Sequence, residues 1–220
     1  MKTAILIPAR LESTRYPNKM LVELDGKPLI QRVYEACKET VYDTYVVTDS
    51  EEIASLVPNS IMTKDATNGT ERCAMAAEGL DYDYFVNVQG DMPDVTEDMI
   101  YNVVEQLKEY EVSTLYTDMR EEDQDKPDSV KLIKSNNKVL WMGRGMTGYG
   151  NWHLGIYGYA KVALSMYRSL DLHLEEATEK LEQLRWLKNG IDIGCAWTKF
   201  DGVEINTEED IHLWNYKNNA

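Results

Sequence analysis

The sequence predicts an α/β protein whose central sheet is mostly parallel and is flanked by helices. Three short apolar runs, at 3–7, 45–47 and 84–88, alternate with amphipathic stretches through the first half of the chain. This alternation is expected when crossover helices connect parallel strands. A chain of 220 residues suits one domain. We place that domain at 1–220, with a smaller lobe of mixed strands inserted at about 112–160.

The helices between these strands are predicted from capping residues and from apolar side chains at helical spacing. Pro28 suits the first turn of a helix because it has no N–H group to leave unpaired. Thr70 and Thr96 are predicted to cap two later helices, since a hydroxyl can accept a hydrogen bond from a free N–H group of the first turn. The predicted helices of the first half cover 29–37, 51–56, 71–79 and 97–109.

The pattern changes beyond Val112, where strand-like pieces follow one another with little helix between them. Such spacing predicts a mixed or antiparallel extension of the sheet. One helix is predicted over 175–187, ending at Asn189-Gly190, and Thr207 is predicted to cap the terminal helix. The predicted strands of this half cover 130–133, 139–142, 154–159 and 193–197.

Charge and cysteine content restrict the partners and the compartment. Lys and Arg total 23 against 38 Asp and Glu, a net charge of −15 that opposes general binding to nucleic acid or to anionic lipid. Three cysteines without a Cys-x-x-Cys spacing predict neither a disulfide framework nor a zinc site, and therefore a reducing compartment. No stretch approaches the roughly 18 apolar residues of a membrane span. The sequence therefore predicts a soluble, cytoplasmic protein.

A basic loop, residues 8–19, follows the first predicted strand. It contains Arg10, Arg15 and Lys19 but only one acidic residue, so it is locally basic in a strongly acidic chain. Open α/β sheets bind ligands beyond the carboxyl ends of their strands. Two guanidiniums and an ammonium at such an end suit a polyphosphate, although a solvated surface loop would have the same composition.

Two further turns lie where contacts with phosphate or base are expected. Asp91, in the turn Gln89-Gly90-Asp91, follows the third predicted strand, and its carboxylate could bind Mg²⁺ beside the phosphates. Arg72 lies in a turn that leads into a helix, whose free N–H groups can receive an anion or a base carbonyl. The alternatives are an ordinary turn aspartate and a surface arginine after a helix cap.

Several motifs point to chemistry that the rest of the sequence does not support. Residues 143–148 spell G-x-G-x-x-G, but no helical pattern follows them, so a dinucleotide cofactor is not predicted. The D-x-D of 81–83 precedes its strand and would lie at the wrong end of the sheet for a ligand. His153, His173 and His212 lack the spacing of metal ligands. The chain contains no P-loop and no G-x-S-x-G motif.

These segments resemble those of the 3-deoxy-manno-octulosonate cytidylyltransferase family, the CMP-Kdo synthetases. The resemblance implies a Rossmann-like fold of the nucleotide-diphospho-sugar transferase type. It rests on seven segments that occur in the family's order over nearly the whole chain. They are Ile7-Pro8-Ala9-Arg10 with Ser13-Thr14-Arg15, Asp25-Gly26-Lys27-Pro28, Thr48-Asp49, Met62-Thr63 with Gly69-Thr70-Glu71-Arg72, Val86-Asn87-Val88-Gln89-Gly90-Asp91, His153-Leu154-Gly155-Ile156-Tyr157-Gly158-Tyr159 and Leu181-Glu182-Gln183-Leu184-Arg185.

The resemblance implies transfer of CMP from CTP to the anomeric hydroxyl of a 3-deoxy-2-ulosonic acid, with release of pyrophosphate. It implies catalytic roles for Lys19, Arg10 and Asp91, and binding of Mg²⁺ by Asp91 and Asn206. Two sets of binding residues are also implied, one for the nucleotide and one for the sugar acid. The nucleotide set is Pro8, Ala9, Arg10, Arg15, Lys19, Arg72 and Gln89, and the sugar-acid set is Gln89, Arg144, His153, Tyr157, Glu182 and Gln183.

Among the positions where the chain departs from the family pattern, one bears on the conformation of the basic loop and one on the charge of the metal site. Asn18 stands where the family has Gly, and we expect it to form the left-handed turn because Asn enters that region more readily than most residues. Asn206 stands where the family has a second metal carboxylate. An amide oxygen can coordinate a metal but adds no charge, and Glu204 is the alternative ligand.

Three expectations about function and assembly remain open at this stage. A homodimer is expected from the family alone. A cytidylyltransferase for a nine-carbon, sialic-type acid is the nearest alternative activity. A catalytically silent nucleotide-binding homologue is the alternative from a different functional class.

Overall fold

The computed structural model describes residues 1–12, 16–126 and 129–218, and it confirms the α/β class. The chain forms two compact units, one made of Met1–Glu97 with Asp201–Ala220 and the other of Asp98–Phe200. The division into two units does not test the predicted single domain with a lobe at about 112–160, which stays a prediction. No helix in the described part of the chain is both long enough and apolar enough to cross a membrane.

Strands and helices alternate along the first unit, whereas the second unit is richer in strands. The first unit contains β1–β6, α1–α3 and α8, and α4 begins at the last residue of its first segment. The strands are β1 (Thr3–Ala9), β2 (Glu23–Leu24), β3 (Lys27–Pro28), β4 (Asp43–Thr48), β5 (Ser60–Met62), β6 (Tyr84–Val88), β7 (Val112–Thr117), β8 (Lys131–Ser135), β9 (Lys138–Gly143), β10 (Asn151–Ala160) and β11 (Ile193–Trp197). The helices are α1 (Leu29–Lys38), α2 (Glu51–Ser55), α3 (Gly69–Ala77), α4 (Glu97–Gln106), α5 (Lys161–Met166), α6 (Leu174–Glu179), α7 (Gln183–Lys188) and α8 (Glu208–Asn218).

Four strands of the first unit form a parallel sheet in the order β5-β4-β1-β6. All residues of β1 are buried, which accounts for its unbroken apolar sequence. Ala9 lies opposite Thr48, so β1 and β4 end at the same edge of the sheet. Because β6 runs parallel to β1, the basic loop and the turn that contains Asp91 leave this same edge, as predicted.

A small hairpin that the sequence analysis did not predict connects the basic loop to α1. Its strands β2 and β3 pair antiparallel across Asp25-Gly26. Both turn residues have positive φ, 48° at Asp25 and 75° at Gly26. Such a two-residue turn favours Asp-Gly, so this dipeptide is the sequence signal for the hairpin.

The start of α3 differs from the prediction. The helix begins at Gly69, and Asn68 caps it by accepting a hydrogen bond from Glu71 N at 2.8 Å. Thr70 is therefore not the cap, and it lies buried inside the first turn. Asn is as effective a capping residue as Ser or Asp, and it comes first along the chain.

The strands of the second unit are mixed, as predicted. β10 pairs antiparallel with β7 and with β8, whereas β7 pairs parallel with β11. β9 pairs antiparallel with both β8 and β11, so these five strands pair in a closed circle. The sequence analysis did not predict β7 or α5.

The helix predicted over 175–187 is wrong, because two short helices, α6 and α7, replace it. Lys180 has a left-handed backbone with φ 52° and ψ 47°. That conformation costs a residue with a side chain roughly 1 kcal/mol. The apolar spacing continues through the break to the buried Leu181, which is why the pattern alone did not reveal it.

Candidate active site

Lys19 and Asp91 lie together although 72 positions separate them in the chain. Lys19 Nζ donates a hydrogen bond to Asp91 Oδ2 at 2.7 Å. The lysine side chain is 11% exposed and the aspartate side chain is 24% exposed, so most of the pair is shielded from water. The turn Gln89-Gly90-Asp91 is called the acidic turn below. Its predicted contact with the basic loop is confirmed.

Two local features bring the basic loop against the acidic turn. Asn18 has a left-handed backbone with φ 56°, which confirms the expectation for this position. At Gly90, a Cβ atom would lie 2.7 Å from Met20 Sδ and 3.4 Å from Pro8 O. Any other residue at Gly90 would therefore displace the buried Met20, which directly follows the basic loop.

The segment before α8 contacts the acidic turn and brings Asn206 to it. Ile205 N donates a hydrogen bond to Asp91 O at 2.9 Å. Asn206 follows Ile205 directly, so the backbones of the two predicted metal ligands lie close together. Glu204 was considered because it would share a face with Asn206 in a strand, but the structure forms no strand there.

The acidic turn suits a Mg²⁺ site that phosphates complete, rather than a site made by protein alone. Among the described residues, no group of three or more His, Cys, Asp or Glu side chains could hold a metal ion. Mg²⁺ is usually held by one or two carboxylates together with substrate phosphates and water. Asp91 supplies one carboxylate, and Asn206 is the next candidate along the contacting backbone. The donor set therefore fits Mg²⁺ when a triphosphate supplies the other oxygens.

Arg72 is buried, and its guanidinium hydrogen-bonds to the protein. Nη2 donates to Asp49 Oδ2 at 2.6 Å, and Nη1 donates to Thr63 Oγ1 at 2.8 Å. Only 3% of the arginine is exposed, which excludes the alternative of a surface arginine. Asp49 follows β4 and Thr63 follows β5, so these bonds link α3 to the ends of two strands. Direct contact of Arg72 with a nucleotide stays a prediction.

The remaining predicted residues of the basic loop lie at or after the end of β1. Pro8 and Ala9 are the last two residues of that strand, and both are buried. Arg10 follows them directly and is exposed. Arg15 lies outside the described residues.

Gln89 directly follows β6 in the chain, and its side chain lies close to the start of α3. Its Nε2 donates to Asn87 Oδ1 at 3.2 Å. A Cβ atom at Gly69 would lie 3.3 Å from Pro8 Cγ and 3.6 Å from Gln89 Nε2. Asn87 Nδ2 is buried and has no hydrogen-bond acceptor within the described part of the chain. An unpaired buried donor of this kind is normally satisfied by a ligand or by ordered water.

In the second unit, His153 is a buried and neutral imidazole. Thr114 Oγ1 donates its one proton to Ile156 O at 2.9 Å, so it accepts a hydrogen bond from His153 Nε2 at 3.0 Å. Burial, together with the charge of Arg144, lowers the pKa of His153 to about 3. The ring therefore carries its proton on Nε2 at neutral pH.

A β-bulge places Tyr157 against His153. The pairing of β10 with β7 shifts between Leu154 and Tyr157, where β10 contains extra residues. In a regular strand, residues four apart would be separated by about 13 Å. The bulge brings the two rings into a stack with centroids 5.4 Å apart. These two predicted sugar-acid residues are therefore adjacent.

We expect His153 to make the protein less stable as the pH falls from about 6.5 towards 3. The folded-state pKa lies below the ordinary value, so the unfolded chain binds the proton first and acid favours unfolding. In His153→Gln, the slope of unfolding free energy against pH should decrease by up to about 1.4 kcal/mol per pH unit within this window, the value for one proton. Urea unfolding at several pH values checks this. Identical slopes for the two proteins would contradict it.

Arg144 lies in a turn after β9, where it contacts the end of α6. Arg144 N and Gly145 N both donate hydrogen bonds to Glu179 Oε2, the second at 3.2 Å. Arg144 Nε also donates to Glu179 O at 3.1 Å. Both the backbone and the side chain of Arg144 are therefore bonded to one residue of α6.

Glu182 and Gln183 lie at the start of α7, where Gln183 is buried and Glu182 is half-buried. Arg185 of the same helix forms a bidentate ion pair with Glu176 of α6. Its Nε donates to Glu176 Oε2 at 2.8 Å, and its Nη2 donates to Glu176 Oε1 at 2.7 Å. The guanidinium also lies 4.2 Å over the ring of Tyr167. The bond to Glu176 raises the pKa of Arg185. The start of α7 is thus fixed by a buried ion pair.

Several partners of the predicted site residues could not be predicted from the sequence. Asp49 and Thr114 lie 23 and 39 positions from Arg72 and His153, so no local pattern connects them. A weak local signal exists for the carboxylates of α6, because Glu residues three apart share one face of a helix. The partners that were not predicted are Asp49, Thr63, Thr114, Glu176 and Glu179.

Comparison with known proteins identifies relatives along nearly the full chain. Residues 4–193 match the family model for cytidylyltransferase. The 3-deoxy-manno-octulosonate cytidylyltransferase of Chloroherpeton thalassium is 35% identical over 96% of this chain and 95% of its own length. The 8-amino-3,8-dideoxy-manno-octulosonate cytidylyltransferase of Shewanella halifaxensis is 37% identical over 97% of both chains.

Several solved structures have the same fold as this chain. The structure of CMP:2-keto-3-deoxy-manno-octonic acid synthetase complexed with CTP has a TM-score of 0.92 at 27% identity, and covers 100% of this chain and 99% of its own. A putative glucose-1-phosphate thymidylyltransferase from Bacillus anthracis has a TM-score of 0.73 at 16% identity, over 98% and 94% of the two chains. These similarities confirm the fold of the nucleotide-diphospho-sugar transferase type.

Proposed function

Because the chain belongs to the 3-deoxy-manno-octulosonate cytidylyltransferase family, we propose that it transfers CMP from CTP to a 3-deoxy-2-ulosonic acid of eight carbons. The anomeric hydroxyl of the sugar acid loses its proton to solvent, and its oxygen forms a bond to the α-phosphorus of CTP. The bond from that phosphorus to the bridging oxygen of the β-phosphate breaks, and pyrophosphate leaves. The observation that carries the proposal is the contact of 2.7 Å between Lys19 and Asp91 at the carboxyl edge of the sheet.

The basic loop supplies the positive charge that a triphosphate requires. In the proposal, Arg10, Arg15 and Lys19 bind the phosphates, with Pro8 and Ala9 lining the same strand end. Negative charge accumulates on the reacting phosphates as the bond breaks. A cation that is already in place stabilises that charge without reorganisation at the moment of reaction.

Asp91 and Asn206 would hold Mg²⁺ beside these phosphates. The ion supplies neutralisation of phosphate charge and can lower the pKa of a coordinated hydroxyl. The hydrogen bond from Lys19 orients the Asp91 carboxylate before the nucleotide binds. Arg72 and Gln89 complete the nucleotide side in this proposal, with Arg72 placed by its bonds to the protein.

The residues proposed for the sugar acid belong mainly to the second unit. Arg144 supplies a guanidinium, the group best suited to pair with the sugar's carboxylate. The neutral imidazole of His153 and the phenol of Tyr157 stacked against it suit hydroxyl groups, because both side chains can hydrogen-bond to them. Gln89, Glu182 and Gln183 add side-chain oxygens and amide groups for the remaining hydroxyls.

A pyrophosphate-release assay with CTP, Mg²⁺ and a panel of 2-keto-3-deoxy acids tests the activity. We expect turnover with the eight-carbon acid or its 8-amino form. Asp91→Asn should lower that turnover by roughly 10²-fold or more, since it removes the charge of the carboxylate proposed to hold Mg²⁺. Asp81→Asn is the matched control, because that side chain is 98% exposed and lies at the other end of β6. It should stay within about twofold of the parent.

The same assay separates the alternatives. Turnover restricted to a nine-carbon acid would replace the proposed substrate by a sialic-type one. Binding of CTP without turnover on any acid would indicate a silent homologue. Full activity of Asp91→Asn would overturn the proposed role of the acidic turn.

The proposal includes a homodimer in the cytoplasm. The dimer is carried over from the family resemblance, and sedimentation of the purified chain tests it. The compartment agrees with the cysteines, because Cys37, Cys73 and Cys195 are all buried as free thiols. Burial raises the pKa of Cys37 and of Cys195, the latter to about 11, so neither is poised to react as a thiolate at neutral pH.

A further inference from the structure

The first part of the G-x-G-x-x-G sequence at 143–148 forms a binding site for a carboxylate of the protein itself. Two successive backbone N–H groups, of Arg144 and Gly145, point at Glu179 Oε2. Successive N–H groups in a turn make a concave site for anions, called a nest. A Cβ atom at Gly143 or at Gly145 would lie 3.3 Å from Glu179 Oε1. The two glycines thus allow the carboxylate to approach the backbone closely.

This site fixes the residue that is proposed to bind the sugar's carboxylate. Arg144 lies between the two glycines, and its Nε donates to the Glu179 carbonyl oxygen at 3.1 Å. One glutamate therefore sets both the backbone path and the side-chain direction of Arg144. A charge-assisted hydrogen bond of this kind is about twice as strong as a neutral one.

Glu179 is itself held in a defined place. α6 ends directly after it, at the left-handed Lys180. One turn earlier, Glu176 of the same helix forms the buried ion pair with Arg185 of α7. Glu176 and Glu179 therefore connect the Arg144 turn with the helix that begins at Gln183, which places two predicted sugar-acid residues relative to each other.

We propose that Glu179 is a positioning residue for the sugar-acid substrate, acting through Arg144. The inference rests on the proposed function, because it requires that Arg144 bind the carboxylate of the sugar acid. The inference gives the glycines of 143–148 a role, although this motif does not bind a dinucleotide cofactor in the proposed function. It also predicts that Glu179 affects the sugar acid and not CTP.

Steady-state kinetics of Glu179→Gln test the proposal. The KM for the sugar acid should rise about 10- to 100-fold, as expected when charge-assisted hydrogen bonds are weakened, while the KM for CTP stays within about threefold. Glu175→Gln is the control, because it removes the same charge from α6 at the exposed ion pair with Lys188. It should leave both KM values within about twofold. Equal increases for CTP and sugar acid in Glu179→Gln would overturn the proposal.

A neutral analogue of the substrate isolates the path through Arg144. In the analogue a carboxamide replaces the carboxylate of the sugar acid. If Glu179 acts by positioning Arg144 for that carboxylate, then the parent and Glu179→Gln should bind the analogue with affinities within about threefold of each other. A loss as large as that for the natural acid would mean that Glu179 acts elsewhere, and would overturn the proposal.

A measurement without activity separates this inference from the proposed function. Hydrogen exchange at the Arg144 and Gly145 amides should become at least about tenfold faster in Glu179→Ala, because their common acceptor is gone. Unchanged exchange would overturn the positioning role. If the parent protein turns over no sugar acid while exchange does increase, the substrate assignment fails and the turn geometry stands.

A second variant is available in case the Glu179 substitutions do not fold. Gly145→Ala leaves every charge in place and crowds the carboxylate with a methyl group 3.3 Å from Oε1. It should also raise the KM for the sugar acid selectively. Gly79→Ala is the matched control, since the nearest atom to its Cβ would be 4.0 Å away. Equal KM values in Gly145→Ala and the parent would contradict the proposal.

Discussion

Lys19→Ala is expected to lower kcat by about 10²- to 10³-fold while weakening CTP binding by less than about tenfold. The positive charge of Lys19 should matter more for the reaction step than for CTP binding. In the proposed function several cations of the basic loop share the bound triphosphate, so losing one should weaken binding moderately. The ammonium of Lys19 lies 2.7 Å from Asp91, the proposed Mg²⁺ ligand, so we expect its charge to matter most as the phosphorus–oxygen bond breaks.

Single-turnover kinetics and CTP titration of the same preparations measure the two effects separately. Lys27→Ala is the control, because it removes a lysine of the neighbouring hairpin whose partner is the exposed Glu35. It should change kcat by less than about twofold. Lys19→Arg should restore CTP binding better than turnover, since a guanidinium keeps the charge but not the position of Nζ. Equal losses in binding and in kcat for Lys19→Ala would show that Lys19 contributes only uniform binding.

The first unit could be predicted well from the sequence because its signals are local. An unbroken apolar run predicted β1, and the parallel arrangement then placed the basic loop and Asp91 at one edge without any knowledge of the contacts. The left-handed turn at Asn18 was predicted because the family has Gly there and Asn enters that region more readily than most residues. The sequence therefore predicted that the three catalytic candidates, Lys19, Arg10 and Asp91, follow strands that end at this edge.

The second unit shows what a local pattern cannot supply. A helix was predicted over 175–187 because its apolar spacing is regular, and nothing in that spacing reports the left-handed Lys180. The bulge between Leu154 and Tyr157 likewise depends on the partner strand β7. Gly158 is another case, since a Cβ there would lie 2.3 Å from Ser113 Oγ on that strand. Each feature is fixed by residues distant in sequence, so only the folded chain reveals it.

The hydrogen-bond partners of the candidate site residues are also distant from them in sequence, so a local pattern does not predict them. Arg72 was predicted from its turn before a helix, whereas His153 and Arg144 were implied by the family resemblance. Their surroundings set their properties, since burial keeps His153 neutral and a bond to the Glu179 carbonyl oxygen orients Arg144. The sequence therefore supplied the candidate side chains, while their protonation and orientation required the structure.

Glu176→Gln is expected to lower the free energy of unfolding by about 3 to 5 kcal/mol, the cost of removing one partner from a buried ion pair. The side chains of Arg185 and Glu176 are only 13% and 7% exposed, so the remaining guanidinium would stay desolvated against the ring of Tyr167. Urea unfolding at pH 7 measures the loss. Glu175→Gln on the same helix breaks a pair that is more than 30% exposed on both sides, and should cost about 1 kcal/mol or less.

The double substitution Glu176→Leu with Arg185→Met distinguishes the charge from the packing. Replacing both members of a buried pair by apolar side chains is often neutral or stabilising, so most of the lost stability should return. The KM for the sugar acid should nevertheless be higher than in the parent for both Glu176→Gln and the double variant, because the ion pair fixes the start of α7, where Glu182 and Gln183 lie. Recovery of both stability and KM would show that apolar packing alone places these residues. Recovery of stability without recovery of KM would show that the ion pair is retained for the geometry of substrate binding.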